Sequence, residues 1–339
     1  GDVIDIPGGT IKAAIGFEGR VEQGFYNSSA IQDLAITRSA ARPGLGGGYE
    51  IDANYYELSV PIVGGDFTLP GVMSLVADIS GRSIDNSIAG SYDVDAVSVA
   101  WRILDDLTLR ASDQTAIKAP DLGDLFLPQV TAFSRADDPC DFRNRGLGRD
   151  PEVREANCLA DGLDPDFISN VVNATATGVS GGNPNLLNET AETESIGLVY
   201  QPSWFSDVLF GDLRFAVDYI KIKLMDFVTS TTLTENMLSC YDFDGGDRDR
   251  FCALFSRDAD GQVVDFQTGL INAGIVDFKT YVWKADFAFD VAEFASFVSR
   301  ENVAMDLGSF AIRYRATQED FNATASSGLE EDLVSVTGE

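Results

Sequence analysis

Four aspartates between residues 242 and 249 form a dense group of potential metal ligands. Asp242, Asp244, Asp247 and Asp249 surround a Gly-Gly pair in the segment DFDGGDRD, and carboxylate oxygens are ligands that Ca²⁺ prefers. The spacing differs from that of an EF-hand loop, and no glutamate closes the group. A solvated acidic loop is therefore favoured over a calcium site.

The sequence offers little for catalysis. Its 339 residues include no histidine, which excludes Ser-His-Asp and Cys-His nucleophile systems, His-ligated zinc and a proximal-His haem. The adjacent Asp105 and Asp106 could in principle hydrolyse a glycoside, but they lie at a predicted tight turn. We expect no catalytic residue, no cofactor and no metal site, and hence no enzyme.

The composition limits the possible partners and the way the chain could meet a membrane. With 24 Lys+Arg against 54 Asp+Glu the formal net charge is −30, which disfavours nucleic acid as a partner. The chain is nevertheless 45% hydrophobic with 22 Phe, so it can bury enough apolar area to fold. No stretch approaches 18 apolar residues, and the start lacks the features of a signal peptide. The chain is thus either soluble or crosses a membrane as strands.

Period-two alternation predicts strands, because successive strand side chains face opposite sides. In residues 11–22, apolar Ile15 and Phe17 alternate with charged Glu18 and Arg20. The same pattern recurs along the chain. The predicted strands span residues 10–26, 51–63, 70–84, 91–103, 106–118, 191–202, 208–225, 274–290 and 301–317.

The connections between these strands differ between the two ends of the sheet. Every second connection is short, whereas the other end carries long loops at 27–50, 119–190 and 226–273. Tight turns at one end and long loops at the other are typical of outer-membrane barrels. Aromatic residues near the short-turn end also suit an interfacial girdle. They are Phe67, Trp101, Trp204, Phe205, Phe294 and Phe297. The glycine run at 44–48 precedes a strand, so we interpret it as a flexible loop rather than a phosphate-binding turn.

Four cysteines form two pairs that are close in sequence. Cys140 precedes Cys158, and Cys240 precedes Cys252, without the C-x-x-C spacing of a metal or redox site. Two local disulfides in an oxidising compartment are the simpler interpretation.

Three phrases resemble TonB-dependent outer-membrane receptors. AIKAPDLGDLF at 116–126 resembles the family's Arg-Ala-Pro-Asn-Leu-x-Glu-Leu-Phe signature, with Lys118, Asp121 and Asp124 in place of Arg, Asn and Glu. GNPNLLNETAETESIGLVYQP at 182–202 is similar to the Gly-Asn-Pro-x-Leu-x-Pro-Glu stretch, with Asn188 replacing Pro. AVDYIKIKLMDFV at 216–228 resembles a Val-Asp-Tyr-Tyr-x-Ile-x-Ile strand. The cysteine-bearing segments also resemble extracellular loops of these receptors.

The resemblance implies a fold, a location and partners. It implies an antiparallel transmembrane β-barrel with long extracellular loops and short periplasmic turns, in the outer membrane of a Gram-negative bacterium. Such receptors take up a siderophore, cobalamin or a carbohydrate by energised gating. Their partners are outer-membrane lipid, an extracellular small-molecule ligand and, through an N-terminal plug, the inner-membrane TonB-ExbB-ExbD complex. The absence of histidine argues against haem as the ligand.

Only part of the family's architecture is recognisable in the sequence. The family's barrel has about 22 strands, whereas nine are predicted here, and neither a TonB box nor a plug is found. We therefore expect residues 1–339 to be a partial barrel domain, incomplete at both ends. The charged residues that alternate with apolar ones would face the lumen, where they would contact the plug or simply hydrate the interior. They are Glu18, Arg20, Glu57, Arg102, Arg110, Arg214, Asp218, Lys284 and Asp286.

Two alternatives remain open at this point. A diffusion porin or lipid-uptake barrel would share the strand pattern but would have no plug. A secreted all-β hydrolase or adhesin domain would also explain the acidity and the disulfides, and it would be soluble without detergent.

Overall fold

Long strands account for most of the structure, a computed structural model that describes residues 1–34, 36, 43–205, 211–243, 248–300, 307–325 and 333–335. The strands are β1 (Asp2–Ile6), β2 (Gly9–Tyr26), β3 (Leu45–Val63), β4 (Ser74–Asn86), β5 (Gly90–Leu104), β6 (Leu107–Lys118), β7 (Val130–Ser134), β8 (Ala176–Gly181), β9 (Glu189–Tyr200), β10 (Gly211–Thr231), β11 (Phe255–Arg257), β12 (Val263–Asp290), β13 (Ser309–Ala325) and β14 (Val334–Ser335). The helices are α1 (Ala30–Asp33), α2 (Leu122–Phe126), α3 (Pro151–Ala160), α4 (Leu233–Tyr241), α5 (Arg248–Cys252) and α6 (Val291–Ser299), with 3-10 turns at Arg145–Leu147 and Asn170–Val172. Among these residues no helix is both long and apolar enough to cross a membrane.

One antiparallel sheet runs through the chain in the order β1-β2-β3-β4-β5-β6-β9-β10-β12-β13-β14. All nine predicted strands are present in it, as β2 to β6, β9, β10, β12 and β13. The predicted all-β antiparallel class is therefore confirmed. Within the described residues the path is open, since β1 and β14 each pair with one neighbour.

Several predicted boundaries were wrong. The glycine run at 44–48 is not a flexible loop, because β3 begins at Leu45 and its glycines pair with β2 up to Tyr26. The last predicted strand lies at Ser309–Ala325 rather than 301–317, and residues 301–306 fall outside the described part. The loop predicted at 226–273 is shorter, because β10 extends to Thr231 and β12 begins at Val263. Strands β7, β8 and β11 lie within regions predicted as loops.

The sheet has one polar and one apolar face. Directly opposed residues of neighbouring strands share a face, and the register carries Ile15, Tyr56, Ile79 and Val97 along the same face. That apolar face is exposed: Ile15 is 86% and Phe17 is 85% accessible. An apolar surface of this extent needs an apolar environment to cover it.

Much of the buried core lies in the connections at one end of the sheet. Two of the three core clusters join the β6–β9 connection to the β10–β12 connection and the start of β12. Their fully buried members include Leu233, Met237 and Phe266. We refer to residues 119–188, 232–243 and 248–262 as the loop unit. Its hydrophobic core stabilises a compact cap above the strands.

Candidate functional site

All nine charged residues predicted to face the lumen lie on the polar face of the sheet. The cross-strand register links them through directly opposed partners from β2 to β12. Arg110, for example, lies opposite Gly197, which lies opposite Asp218. Arg214 lies opposite Asp286 on the neighbouring strand. The side-chain period of two thus places these charges on a common surface.

Arg110, Asp218 and Lys284 form the central charge cluster of the polar face. The Arg110 guanidinium donates through Nε to Asp218 Oδ1 at 2.9 Å and through Nη2 to Asp218 Oδ2 at 2.6 Å. Lys284 Nζ lies 3.8 Å from Asp218 Oδ2. Gly197 separates Arg110 from Asp218 in the register, and a Cβ there would collide with the Asp218 carboxylate. A glycine on β9 therefore lets the arginine reach across a whole strand.

Three of the other predicted residues have separate partners. Arg20 Nε contacts Glu22 Oε1 at 3.0 Å, and Arg102 Nη2 contacts Asp105 Oδ1 at 3.1 Å. Glu18 pairs with Arg82 on β4, a residue that the sequence analysis missed. Period-two alternation through the predicted strand at 70–84 would have placed Arg82 on this face.

A cavity of about 470 Å³ opens on the polar face between β2 and β6. Lys12, Glu57, Asp78 and Gln114 are among its lining residues, together with several serines. A wall of carboxylates, hydroxyls and an amide can accept hydrogen bonds from a packed polypeptide or from water. The geometry alone supports either occupant.

Two buried ion pairs join the two halves of the loop unit. Arg257 Nη1 and Nη2 donate to Asp138 Oδ2 and Oδ1 at 2.8 and 2.9 Å, and Asp138 has no exposed surface. Burial opposes the charge of Arg257, but hydrogen bonding to Asp138 raises the pKa of its guanidinium above the ordinary value. Arg154 makes a second, bidentate pair with Asp242. The two connections are thereby fixed to one another.

Further hydrogen bonds reinforce this junction. Asn157 Nδ2 donates to the Tyr241 carbonyl oxygen at 2.9 Å, and the Tyr241 hydroxyl donates to Asp161 Oδ2 at 2.8 Å. Burial is the main cause of the raised pKa of the Tyr241 hydroxyl. The side chain therefore stays neutral and serves as a donor at physiological pH.

The predicted disulfides are both formed. Cys140 is bonded to Cys158, and Cys240 to Cys252. Three of these cysteines have no exposed surface and share a cluster with Tyr241 and Phe251. Each disulfide closes one of the two connections, and the shared core then packs the closed loops together.

Helix α2 brings the start of the loop unit onto the polar face of β3. Leu125 and Leu186 are buried in one cluster with Tyr49 and Ile51. The Phe126 ring lies where a Cβ on Gly47 would be. Gly47 is therefore required for close packing of the loop unit against the sheet.

The acidic segment supports no metal site within the described residues. There, no group of three or more potential ligands could hold a metal ion. Asp242 is engaged by Arg154, while Asp244 and Asp247 lie outside the described residues. The adjacent carboxylates of Asp105 and Asp106 also have polar partners. Asp105 Oδ1 accepts a hydrogen bond from Arg102, and Asp106 Oδ2 accepts one from the Ser203 hydroxyl at 3.2 Å.

Comparison with known families gives a match over more than half of the chain. A family model described as "TonB dependent receptor-like, beta-barrel" matches residues 82–274. No curated protein matches the chain. The matched segment includes β5, β6, β9, β10 and the loop unit.

Solved structures with similar folds include three receptors. A mutant ferric enterobactin receptor from Pseudomonas aeruginosa is 13% identical, with a TM-score of 0.46 over 82% of this chain and 33% of that one. The siderophore receptor PirA from Acinetobacter baumannii is 11% identical, with a TM-score of 0.46 over 94% and 48%. The FrpB iron transporter from Neisseria meningitidis is 10% identical, with a TM-score of 0.37 over 96% and 34%. The chain thus spans between about a third and a half of these structures' length.

Proposed function

The chain belongs to the TonB-dependent receptor-like β-barrel family, and on that premise we propose that it is the barrel portion of an outer-membrane importer of a scarce nutrient. TonB-dependent receptors are transporters rather than enzymes, and their family resides in the outer membrane. We propose the outer membrane of a Gram-negative bacterium as the location of this chain. Residues 1–339 would form one partial barrel domain.

The observation that carries this proposal is the two-sided polarity of the sheet. Arg110, Asp218 and Lys284 occupy one face, while Ile15 and Phe17 are exposed on the other. Lipid would cover the apolar face, because hydrocarbon imposes no desolvation penalty on such side chains. The nine charged residues would then face the lumen and contact the plug.

The loop unit supports a role in binding ligand. Two disulfides and two buried ion pairs hold it in one conformation, and preorganised loops lose less entropy on binding. We propose that it forms part of the extracellular site for a siderophore, cobalamin or a carbohydrate. Energy would come from the TonB-ExbB-ExbD complex acting through the plug.

Two adjacent residues of β2 provide a matched test of the membrane assignment. Ile15 belongs to the apolar face and Ala14 to the polar face, and both are exposed. In the full receptor folded into phospholipid vesicles, Ile15→Lys should lower the free energy of unfolding by about 2–4 kcal/mol, as lysine does near the bilayer midplane. Ala14→Lys introduces the same charge and should cost far less.

Equal effects of the two substitutions would contradict the proposed orientation of the sheet. Transport is tested separately by uptake of radiolabelled ferric siderophores, cobalamin and oligosaccharides into cells that express the full gene. Uptake should disappear when TonB is deleted. Uptake that persists without TonB would favour a diffusion porin, and a receptor found in the soluble fraction would favour a secreted domain.

A further inference from the structure

Helix α6 occupies a connection that the sequence analysis treated as a simple turn. It spans Val291–Ser299 between β12 and β13. Asp290 Oδ1 accepts a hydrogen bond from the Ala292 amide at 2.8 Å, which satisfies a free donor at the start of the helix. Arg300 follows with φ 57°, a left-handed conformation that ends helices. This connection is therefore a defined helix of nine residues.

The helix is amphipathic. A single helical stripe with i, i+3, i+4, i+7 spacing contains Val291, Phe294, Ala295 and Val298. Phe294 is 42% and Val298 is 65% exposed. On the other side, Ser296 Oγ donates to the Ala292 carbonyl at 2.8 Å, so that hydroxyl is satisfied within the helix. Large apolar side chains thus remain uncovered on one side.

A chain of aromatic contacts connects the helix to the apolar face of the sheet. The ring of Phe294 lies 5.2 Å from that of Phe289. Phe289 in turn contacts Phe287 at 5.4 Å and Phe310 at 5.5 Å. Phe205, from the neighbouring short connection, lies 5.7 Å from Phe287. The apolar surface therefore continues without a break from the strands onto α6.

We propose that α6 is an interfacial helix that lies in the membrane leaflet at the short-connection end, with Phe294 and Val298 inserted among the lipid chains. This inference rests on the proposed function, because it takes the apolar face of the sheet to be covered by lipid. A surface continuous with that face meets the same environment. Arg300 at the end of the helix would lie at the level of the anionic headgroups, as cations of interfacial helices do.

Spin labels on single introduced cysteines test this position in the full receptor. The receptor is reconstituted in vesicles of phosphatidylethanolamine and phosphatidylglycerol, and each label's collision rates with oxygen and with a water-soluble nickel chelate are compared. Oxygen concentrates in lipid, whereas the chelate stays in water. Phe294→Cys and Val298→Cys should show an oxygen-to-nickel ratio several-fold above that of Ser296→Cys, the control on the opposite side of the helix.

A further label at Phe17→Cys separates this inference from the proposed function. If Phe17 is in lipid while the labels at 294 and 298 resemble the Ser296 control, α6 lies in water and only this inference fails. Low collision rates with both reagents at 294 and 298 would mean that protein covers the stripe, which also overturns it. If Phe17 itself reports water, the membrane assignment of the sheet fails. Because Val298 is substituted independently of Phe294, a fold disrupted by loss of the phenylalanine leaves the second label to decide.

Discussion

Replacing Arg257 by methionine is expected to loosen the junction between the two halves of the loop unit. The arginine is 11% exposed, and it makes a bidentate ion pair with the fully buried Asp138. Its guanidinium also donates to the Gly261 carbonyl at 2.8 Å and lies 5.4 Å from the centre of the Tyr241 ring. Methionine keeps much of the apolar volume but removes every one of these donors.

The expected cost follows from the buried carboxylate that remains. After the substitution, one donor to the Asp138 carboxylate remains among the described residues. It is the Cys140 amide, which lies 3.0 Å from Asp138 Oδ1. Removing one partner of a buried pair costs about 3–5 kcal/mol, because the other charge stays buried without compensation. At about 1.4 kcal/mol per tenfold, local opening should become between about a hundred and several thousand times more frequent.

Hydrogen exchange measured by mass spectrometry reads this opening directly. Peptides that cover the Cys140 and Tyr241 regions should exchange faster in Arg257→Met, while peptides from β4 and β5 should not change. The matched control is Arg20→Met, which removes an exposed arginine from a 3.0 Å pair with Glu22 and should cost at most about 1 kcal/mol. The double variant Arg257→Met, Asp138→Asn should recover part of the loss. An acceleration below about tenfold, or no recovery in the double variant, would refute the reasoning that the ion pair fixes the junction.

Three further outcomes are expected. Replacing Cys140 and Cys158 by alanine should destabilise the loop unit by roughly 3 kcal/mol in the chain-entropy account, measurable by hydrogen exchange, and an unchanged exchange rate would contradict it. Asp218→Asn should lower the unfolding free energy in urea by about 1–3 kcal/mol, because Arg110 loses its charged acceptor, whereas Asp105→Asn, with a 72% exposed side chain, should have little effect. The hydrogen bond from Arg143 lowers the pKa of Asp141 to about 2, below an unfolded value of about 3.9. The resulting stabilisation, at most about 2.6 kcal/mol, is complete only above about pH 5 and is lost as the pH falls through 2. The difference in stability between wild type and Asp141→Asn should shrink over that range, and a difference independent of pH would exclude this origin.

The strands of the wall were predictable because each contains its own signal. Period-two alternation requires only local sequence, and all nine predicted strands were found. The same parity predicts which charges share a face. The start of β3 was missed because Gly46 to Gly48 have no side chains to alternate, although they pair with β2. The reason for a glycine at position 47 lies elsewhere in the chain, because the Phe126 ring occupies the place of its Cβ.

The loop unit and helix α6 were harder to predict for different reasons. Arg257 and Asp138 are separated by 119 residues, and no local pattern indicates that they will meet. Strands β7 and β8 are five and six residues long and form only because neighbouring segments supply partners. Helix α6 does carry a helical spacing at Val291, Phe294 and Val298, but the expectation of a short turn there concealed it.

Strand β12 determines how the loop unit can move relative to the sheet. Its 28 residues extend roughly 90 Å at about 3.3 Å per residue. The same strand pairs with β8 and β11 in the loop unit and with β10 and β13 in the sheet. Rotation of the loop unit about a hinge would need a break in β12, because the backbone hydrogen bonds of this strand resist bending. The loop unit is instead fixed to the sheet through β12, and a force on the loop unit is transmitted to the strands. We therefore expect the loop unit to keep one orientation relative to the sheet.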